Sequence, residues 1–540
     1  MKKYLIINMT MVAFLLSSCS KSFLNRQPTN AYSISSLFTD SSDVIAALNG
    51  CYNGWNNPFS DSGPSWADAL NVQYMDCVSD NAYSQFPWEG FQAHGNGFST
   101  ANDGNEESLW NFVTIQKCNW FLENVVKAPI DESLMLRTEG EARFIRVYQY
   151  FVMSQLYGDV PLDTIALTTT QANEVTRTPK AEVTKWMLSE LAEIAPNLPV
   201  TYPASDFGRI TQGAALALKA RIELYNGDWA DCVKDCQAVE NLGVYQLFPS
   251  YSDLFRIQNE NNSGVILDIQ YKENDQPNGG LGVMPSSSYG GWSSIDPTQS
   301  LVDSYDMLNG KPIADPTSGY DPTHPFNNRD PRLAATIVYP GELYPYANNA
   351  PNYYDPIDAS SPDYYSGNNN SKTGYLVKKF TSHLSDFDNM WNTGLNMILI
   401  RYAEVLLNYA EAQNELVGPD PSVYAAMNQV RERAGMPDVI PGLSQDAMRQ
   451  AIRHERRVEF AMEGLRWYDI QRWKIGPQVM PGPVYGTRLG TVNPSTGEAT
   501  FTGNNVLVET RVFDPNKNYL WPIPQTEIDI NKNLKQNPGY

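Results

Sequence analysis

Apolar residues recur at intervals of three and four along two long stretches of the chain, and this spacing constrains the fold more than any other feature. The first stretch covers residues 40–250 and the second covers residues 395–475. Such spacing places apolar side chains on one face of an α-helix. Helices of this kind must pack against each other to bury that face. The sequence therefore predicts a mostly α-helical scaffold.

Local signals divide the first stretch into separate helices. Residues 139–157 have helical spacing and stop at Gly158, because glycine readily ends a helix. Thr211 is a suitable N-cap for the next helix, and Gly227 separates that helix from another one. The residues around this break follow the pattern of tetratricopeptide helix pairs: Ala217, Ala220, Tyr225, Asp228 and Trp229.

The second stretch predicts another helix pair and a long helical run. Residues 400–435 form the pair, with a turn over residues 418–421, and residues 444–474 form the run. The units do not repeat at one fixed period, so we expect a degenerate array of helix pairs.

Between the two helical stretches, residues 255–395 are rich in Gly, Pro, Asn, Ser, Asp and Tyr. A disordered linker is one interpretation, but linkers contain few tyrosines and tryptophans. Long ordered loops on a rigid scaffold commonly carry binding sites. Residues 264–271 alternate in polarity and predict a short strand. We therefore interpret this region as a loop-rich, ligand-binding insertion with a few short strands.

The N-terminus has the features of a lipoprotein signal. Lys2 and Lys3 precede an apolar run over residues 4–16, and small residues lead to Cys19. This order predicts a signal peptide over residues 1–18 and lipid on Cys19; the alternative is an ordinary secretory signal with a chance cysteine. Residues 19–540 are predicted to form one domain, lipid-anchored at a membrane surface, with residues 515–540 tying the C-terminus to the helices.

Charge and cysteine content exclude several functions. The net charge of −21 argues against a nucleic-acid partner. Five cysteines remain after Cys19, and Cys232 and Cys236 are expected to be small buried side chains. The sequence contains no Cys-x-x-Cys and no His-Glu-x-x-His motif, so neither a metal site nor another cofactor is predicted.

Several separated motifs resemble the SusD/RagB family, and they cover nearly all of the chain after Cys19. The most specific is ERRVEFAMEGLRWYDIQRW at residues 455–473. The others are RYAEVLLNYAEA at 401–412, YLWPIP at 519–524, QNPGY at 536–540, EARF at 141–144, YGDVPL at 157–162 and GCY at 50–52.

The resemblance implies a fold and a function. It implies a helical fold built on four tetratricopeptide-like helix pairs. It also implies a surface lipoprotein of the outer membrane without catalytic activity, which binds oligosaccharides and passes them to a SusC-like TonB-dependent transporter.

The residues of the most specific motif predict a structural role. Arg456 and Glu459 are three apart, as are Glu463 and Arg466. On one helix these residues would form ion pairs along its surface. The family motif is therefore expected to mark the scaffold, and the ligand is expected elsewhere.

Two loop segments combine aromatic and polar side chains. Sugar rings offer an apolar face that packs on aromatic rings and hydroxyls that bind polar side chains. The first segment covers residues 76–90 and the second covers residues 288–292. The predicted glycan-binding residues are Asp80, Asn81, Tyr83, Trp88, Tyr289 and Trp292.

Two other function classes remain open from the sequence. A surface glycoside hydrolase needs two carboxylates across a cleft, about 5 to 9.5 Å apart. Glu404 and Glu411 would lie on one helix, separated by roughly 10.5 Å of helical rise. A non-binding structural subunit of a transporter complex is the other alternative. The sequence does not identify the glycan, and a peptide or another nutrient is also compatible with it.

Overall fold

The computed structural model describes residues 38–52, 69–103, 109–344, 352–381 and 386–540. The helices are α1 Ser41–Tyr52, α2 Ala69–Tyr74, α3 Phe91–Asn96, α4 Phe112–Val125, α5 Glu132–Tyr157, α6 Thr169–Ala172, α7 Lys180–Ile194, α8 Gln212–Asn226, α9 Trp229–Asn241, α10 Gln299–Ser304, α11 Pro331–Thr336, α12 Tyr402–Val417, α13 Pro421–Arg433, α14 Gln445–Glu459, α15 Arg466–Trp473, α16 Gly476–Val479 and α17 Gln525–Ile530. The strands are β1 Ala82–Ser84, β2 Val265–Ile269, β3 Ile295–Pro297, β4 Ile337–Val338, β5 Leu376–Val377, β6 Met397–Arg401, β7 Gly482–Val492 and β8 Ala499–Arg511. The prediction of a mostly α-helical fold is confirmed.

The long helices pack in consecutive pairs. Helix α4 packs on α5, α8 on α9, and α12 on α13. Helix α7 contacts both α5 and α8, and α9 packs on α12. The contact between α9 and α12 joins the two helical stretches of the sequence. Ala214, Ala217 and Ala220 are buried in α8, and such small side chains let neighbouring helices approach closely.

The predicted helix ends are largely confirmed. Helix α5 ends at Tyr157, and Gly158 follows with φ 75°. The helix begins earlier than predicted, because the carboxylate of Asp131 caps it by accepting the N–H of Leu134 at 2.9 Å. Thr211 caps α8 by accepting the N–H of Ala214 at 3.1 Å. Gly227, with φ 84°, separates α8 from α9.

The predicted helical run over residues 444–474 is confirmed for most of its length but is interrupted, because two helices, α14 and α15, occupy it. The chain turns between them at residues 460–465, where Met462 has φ 67° and Gly464 has φ 76°. A Cβ atom on Gly464 would lie 2.3 Å from the carbonyl oxygen of Val72. Both the positive φ and this close contact require glycine.

The two ion pairs predicted along the motif, Arg456 with Glu459 and Glu463 with Arg466, do not form. The guanidinium of Arg456 pairs with Asp469 at 3.0 Å, and that of Arg466 pairs with Asp80 at 2.7 Å. Glu463 pairs with Arg401 at 2.7 Å. The charged side chains of the motif therefore pair between α14 and α15, with β6 and with the segment before β1, instead of along one helix.

Glu459 lies at the centre of a buried ion-pair network. Its carboxylate accepts from Arg401 at 2.5 Å, from Arg332 at 2.9 Å, and from Arg433. Glu455 also accepts from Arg332, at 2.5 Å. These contacts connect α14 with β6, α11 and α13, so the network holds four elements together.

The strands form two-stranded antiparallel pairs: β1 with β3, β2 with β6, β4 with β5, and β7 with β8. Strand β2 confirms the strand predicted over residues 264–271. The long β7–β8 hairpin was not predicted. Its turn residues, Asn493 to Glu498, contain the Pro and Gly that are typical of a hairpin connection.

The C-terminal segment packs against the end of α5. The N–H of Trp521, a buried residue, donates to the carbonyl of Leu156 at 2.7 Å. The side chain of Asn537 donates to the carbonyls of Tyr157 at 2.9 Å and Trp521 at 2.7 Å. These bonds satisfy carbonyls at the end of α5 that have no partner inside the helix.

Cys51, Cys77, Cys118, Cys232 and Cys236 are buried free thiols, which confirms the prediction for Cys232 and Cys236. Within the described ranges, no cluster of His, Cys, Asp or Glu is arranged to hold a metal ion. Helices in those ranges are too short or too polar to cross a membrane. Cys19 and the predicted signal peptide lie outside the described residues.

Candidate functional site

The two predicted binding segments meet in the structure, although they are far apart in sequence. Strand β1 pairs with β3, so that Tyr83 lies opposite Asp296. Beyond the strand, the N–H of Gln85 donates to the carbonyl of Ser294 at 3.1 Å. The side chain of Gln85 donates to the carbonyl of Ser293 at 2.6 Å. The same side chain also donates to the carbonyl of Trp292 at 3.3 Å, so the residue that precedes Phe86 is bonded to the backbone of Trp292.

Trp88 projects from a single 3₁₀ turn, Pro87–Glu89. Its side chain is 77% exposed, and its ring stacks on Phe86 with a centroid distance of 4.6 Å and an interplanar angle of 25°. Proline starts this turn with its fixed φ, and Gly90, with φ 83°, ends it. The turn therefore presents a large apolar ring to solvent while Phe86 supports it from behind.

Trp292 forms a second aromatic pair with Trp391. Trp292 is 40% exposed, and the two ring centroids lie 4.6 Å apart with the planes tilted by 53°. Trp391 packs over Gly282, where a Cβ atom would lie 2.3 Å from the indole ring. Its indole N–H donates to the carbonyl of Gly290 at 3.4 Å. We call Phe86, Trp88, Trp292 and Trp391 the aromatic surface.

The predicted tyrosines lie beside the aromatic surface and are half-buried. The ring of Tyr289 packs edge-on against Tyr344, with centroids 4.1 Å apart. The hydroxyl of Tyr83 accepts a hydrogen bond from the side chain of Gln92 at 3.0 Å. Burial raises the pKa of both hydroxyls above the ordinary value, so both are neutral at physiological pH.

The structure places the predicted residues Asp80 and Asn81 away from solvent, in contact with arginines and an aspartate of the scaffold. Both are buried. Burial alone would raise the pKa of Asp80, but ion pairs with Arg457 at 3.0 Å and Arg466 at 2.7 Å lower it to about 2. Asn81 donates to Asp76 at 2.9 Å and accepts from Arg457 at 3.0 Å. Their function is to fix the start of β1 on the scaffold.

Sequence reasoning missed Trp391 and Gln85. Trp391 lies in the segment Asp388-Asn389-Met390-Trp391-Asn392-Thr393-Gly394. This segment has the same signal that identified Trp292, a tryptophan among polar residues and glycine in the loop-rich region. Nothing in the local sequence distinguishes Gln85, because its role depends on carbonyls contributed by the other segment.

The comparison with known proteins identifies the family. The sequence profile of the SusD family matches residues 254–540. The chain belongs to the SusD family. A second profile, described as starch-binding associating with outer membrane, matches residues 23–224 of this SusD-family chain.

Similar proteins cover almost the whole of the SusD-family chain. The SusD-like protein P2 of Formosa agariphila is 26% identical, and the match covers 100% of both chains. A solved SusD-like carbohydrate-binding protein of Bacteroides fragilis is 30% identical with a TM-score of 0.81, covering 92% of this chain and 99% of that chain. A solved laminarin-binding SusD-like protein is 23% identical with a TM-score of 0.71, covering 93% and 100%.

The carboxylates considered for a hydrolase are structural in this SusD-family fold. Glu404 and Glu411 are both buried on α12. Glu404 makes a two-bond ion pair with Arg221, at 2.6 Å for each bond. Glu411 makes the same kind of two-bond ion pair with Arg472, and each of these bonds is also 2.6 Å long. Neither carboxylate faces the other across a cleft, which a hydrolytic pair requires.

Glu89 is the titratable group next to Trp88. Its carboxyl lies beside the hydroxyls of Tyr74, Ser84 and Ser294, and burial raises its pKa from 4.5 to about 7. The folded state therefore favours the protonated carboxyl. The resulting stabilisation is fully present below about pH 4.5 and is lost as the pH rises to about 7.

We expect Glu89→Gln to raise the melting temperature at pH 8 and to leave it unchanged near pH 4. Glutamine has no charge to bury at pH 8, whereas at pH 4 the glutamate is also neutral. Thermal melting across this pH range measures the difference. Glu273→Gln, at an exposed position, is the control, and an equal pH profile for Glu89→Gln and wild type would contradict the prediction.

Proposed function

We propose that this SusD-family protein binds a glycan on the aromatic surface and passes it to a TonB-dependent transporter of the outer membrane. The observation that carries the proposal is the exposure of Trp88 and Trp292 on adjoining segments. Exposed apolar surface that several neighbouring side chains share commonly marks a binding site. Indole rings offer flat apolar faces that match the C–H face of a pyranose.

The polar groups around the aromatic surface suit the hydroxyls of a sugar. Ser287 and Ser288 are exposed next to Tyr289, and Asp388 and Asn389 are exposed next to Trp391. These side chains offer both donors and acceptors. Two relatives described above carry names that state carbohydrate or laminarin binding. Delivery to a transporter rests on the resemblance to the family alone.

A glycan panel on the soluble chain that begins after Cys19 tests the proposal. Titration calorimetry should find at least one oligosaccharide that binds, and chromatography after incubation should recover that oligosaccharide intact. Release of shorter sugars would instead make the protein a hydrolase. The absence of binding across a broad panel of plant, algal and microbial glycans would favour a structural subunit.

Cys19→Ala should move the full-length protein from the membrane fraction to the soluble fraction. The physical reason is that each buried methylene of an acyl chain contributes about 0.8 kcal/mol to membrane binding. Extraction of wild-type membranes with mild detergent should also recover a TonB-dependent transporter with the protein. Complete retention of Cys19→Ala in membranes would contradict the lipid anchor, and repeated recovery of the protein alone would contradict the partner.

A further inference from the structure

A second cavity lies where the end of α5, the start of α7, the end of α15 and the C-terminal segment meet. Its volume is about 660 Å³, which is within the usual range for small-molecule sites. None of its lining residues belongs to the aromatic surface. The glycan-binding proposal gives this cavity no role. We call it the basic cavity, because of the side chains described next.

Within the described part of the chain, three cations that line the basic cavity form no ion pair with a carboxylate. The guanidinium of Arg177 donates to three backbone carbonyls and one amide oxygen, at 2.7 to 2.9 Å. The ammonium of Lys180 donates to the amide oxygen of Gln155 at 2.9 Å. The ammonium of Lys474 lies 4.5 Å from the ring centre of Tyr519. All of these contacts are with neutral groups. The charge of Asp159 alone counteracts the lowering of the pKa of Arg177 and Lys180 by burial, so the cavity keeps an excess of positive charge.

The other charged groups do not neutralise the cavity. Asp159 is the one side-chain carboxylate among the lining residues, and it accepts the backbone N–H of Lys180 at 2.8 Å. Arg472 also lines the cavity but is already paired with Glu411 and Asp469. Lys517 adds a further cation, which donates to the carbonyl of Ser99 at 2.9 Å.

The clustered cations of the basic cavity raise the free energy of the folded protein unless an anion binds between them. The whole chain carries a net charge of −21, yet here cations are gathered in a partly buried cavity. Bringing like charges out of water raises their free energy, and an oxyanion between them would reverse that cost.

We propose that the basic cavity binds a sulfate or phosphate group through Lys180, Lys474 and Arg177. Ammonium and guanidinium donors form short, charge-assisted hydrogen bonds with such groups. The cavity is much larger than the ion itself, so there is room for a sugar or another small molecule that carries the group. The inference does not depend on the aromatic surface.

The protonation of Lys180 gives the site a pH signature. Burial and the nearby charge of Lys474 lower the pKa of Lys180 to about 8, whereas Asp159 raises it. Arg177, Arg472 and Lys517 also line the cavity, and the two guanidinium groups stay charged. A bound sulfate favours the protonated amine, so its affinity should fall as the pH rises above about 8. Sulfate itself does not titrate in this range.

Titration calorimetry with galactose 6-sulfate, galactose and sodium sulfate tests the proposal. The sulfated sugar should bind and galactose should not. Binding of sodium sulfate would show that the free ion is sufficient, and its failure to bind would show that the sugar is also required. Lys180→Gln and Lys474→Gln should each weaken binding about tenfold or more, the usual effect of removing a charge-assisted contact. Lys180→Arg should restore part of the affinity.

Lys185→Gln is the matched control, because Lys185 is exposed on α7 and does not line the cavity. It should bind like wild type. Lys474 is exposed, so Lys474→Gln should fold, and its affinity can be measured even if Lys180→Gln does not fold. The proposal is overturned if neither sulfate compound binds up to about 10 mM. It is also overturned if Lys474→Gln binds like wild type, or if Lys185→Gln loses as much affinity as the cavity variants.

Discussion

Replacing Glu459 by glutamine is expected to lower the free energy of unfolding by about 3 to 5 kcal/mol, the usual result of removing one partner from a buried ion pair. Glu459 is fully buried and contacts Arg332, Arg401 and Arg433. Burial would raise the pKa of its carboxyl, but these three arginines lower it well below the ordinary value. The carboxylate is therefore charged in the folded protein at all physiological pH values.

Glutamine has nearly the same shape as glutamate but removes one negative charge from the network. Arg332 and Arg401 keep Glu455 and Glu463 as partners, whereas Arg433 loses its counter-charge. These arginines cannot lose their protons, because the pKa of arginine lies far above physiological pH. The folded state therefore retains uncompensated buried charge, which costs much more than the lost hydrogen bonds. The effect should be large because β6, α11 and α13 all depend on the same carboxylate.

Urea denaturation and thermal melting measure this effect. Glu432→Gln is the matched control, since Glu432 is exposed on the neighbouring helix α13, and it should change stability by less than about 0.5 kcal/mol. Equal stability of the Glu459→Gln and Glu432→Gln variants would show that the buried network contributes little to the fold.

The sequence predicted the helices well because their signals are local. Gly158 and Thr211 act through the conformation and hydrogen bonds of their own helix ends. The turn at residues 460–465 was missed, although Gly464 has a positive φ there and lies where a Cβ atom would clash with the carbonyl of Val72. The helical spacing of the charges around Glu459 also predicted pairs within one helix, whereas the arginines that bind it come from three other elements.

The candidate site shows the same difference between local signals, which the sequence reveals, and contacts with distant parts of the chain, which it does not. The exposure of Trp88 and Trp292 could be predicted, because a tryptophan among Pro, Gly and Ser residues has no helical face on which to be buried. Asp80 and Asn81 lie in a segment of similar composition, yet they are buried. Polarity alone does not tell whether a residue in a loop faces solvent or an arginine on the scaffold. Here Arg466, distant in sequence, decides the orientation of Asp80.

The tryptophan substitutions Trp88→Ala and Trp292→Ala are expected to weaken glycan binding by roughly fivefold or more each, while the melting temperature changes little. Removal of an aromatic side chain that contacts a ligand typically costs more than about 1 kcal/mol of binding free energy. Both rings are substantially exposed in the free protein, so little buried surface is lost from the fold itself.

Two controls separate binding from packing. Phe207 is also exposed, at 50%, but it is not part of the aromatic surface, so Phe207→Ala should bind like wild type. Trp521 is fully buried, and Trp521→Ala should lose about 3 to 5 kcal/mol of stability. Calorimetric titration with a glycan from the panel and thermal melting measure both properties for all four variants.

The double variant Trp88→Ala/Trp292→Ala tests whether the two aromatic pairs act as one surface. If each ring contacts its own sugar unit, the separate losses should multiply to roughly 25-fold or more, because distant contacts contribute independently. Normal affinity in both single variants, together with a melting temperature many degrees lower, would mean that these tryptophans stabilise the loops. The glycan would then have to bind elsewhere, and the proposed site would be wrong.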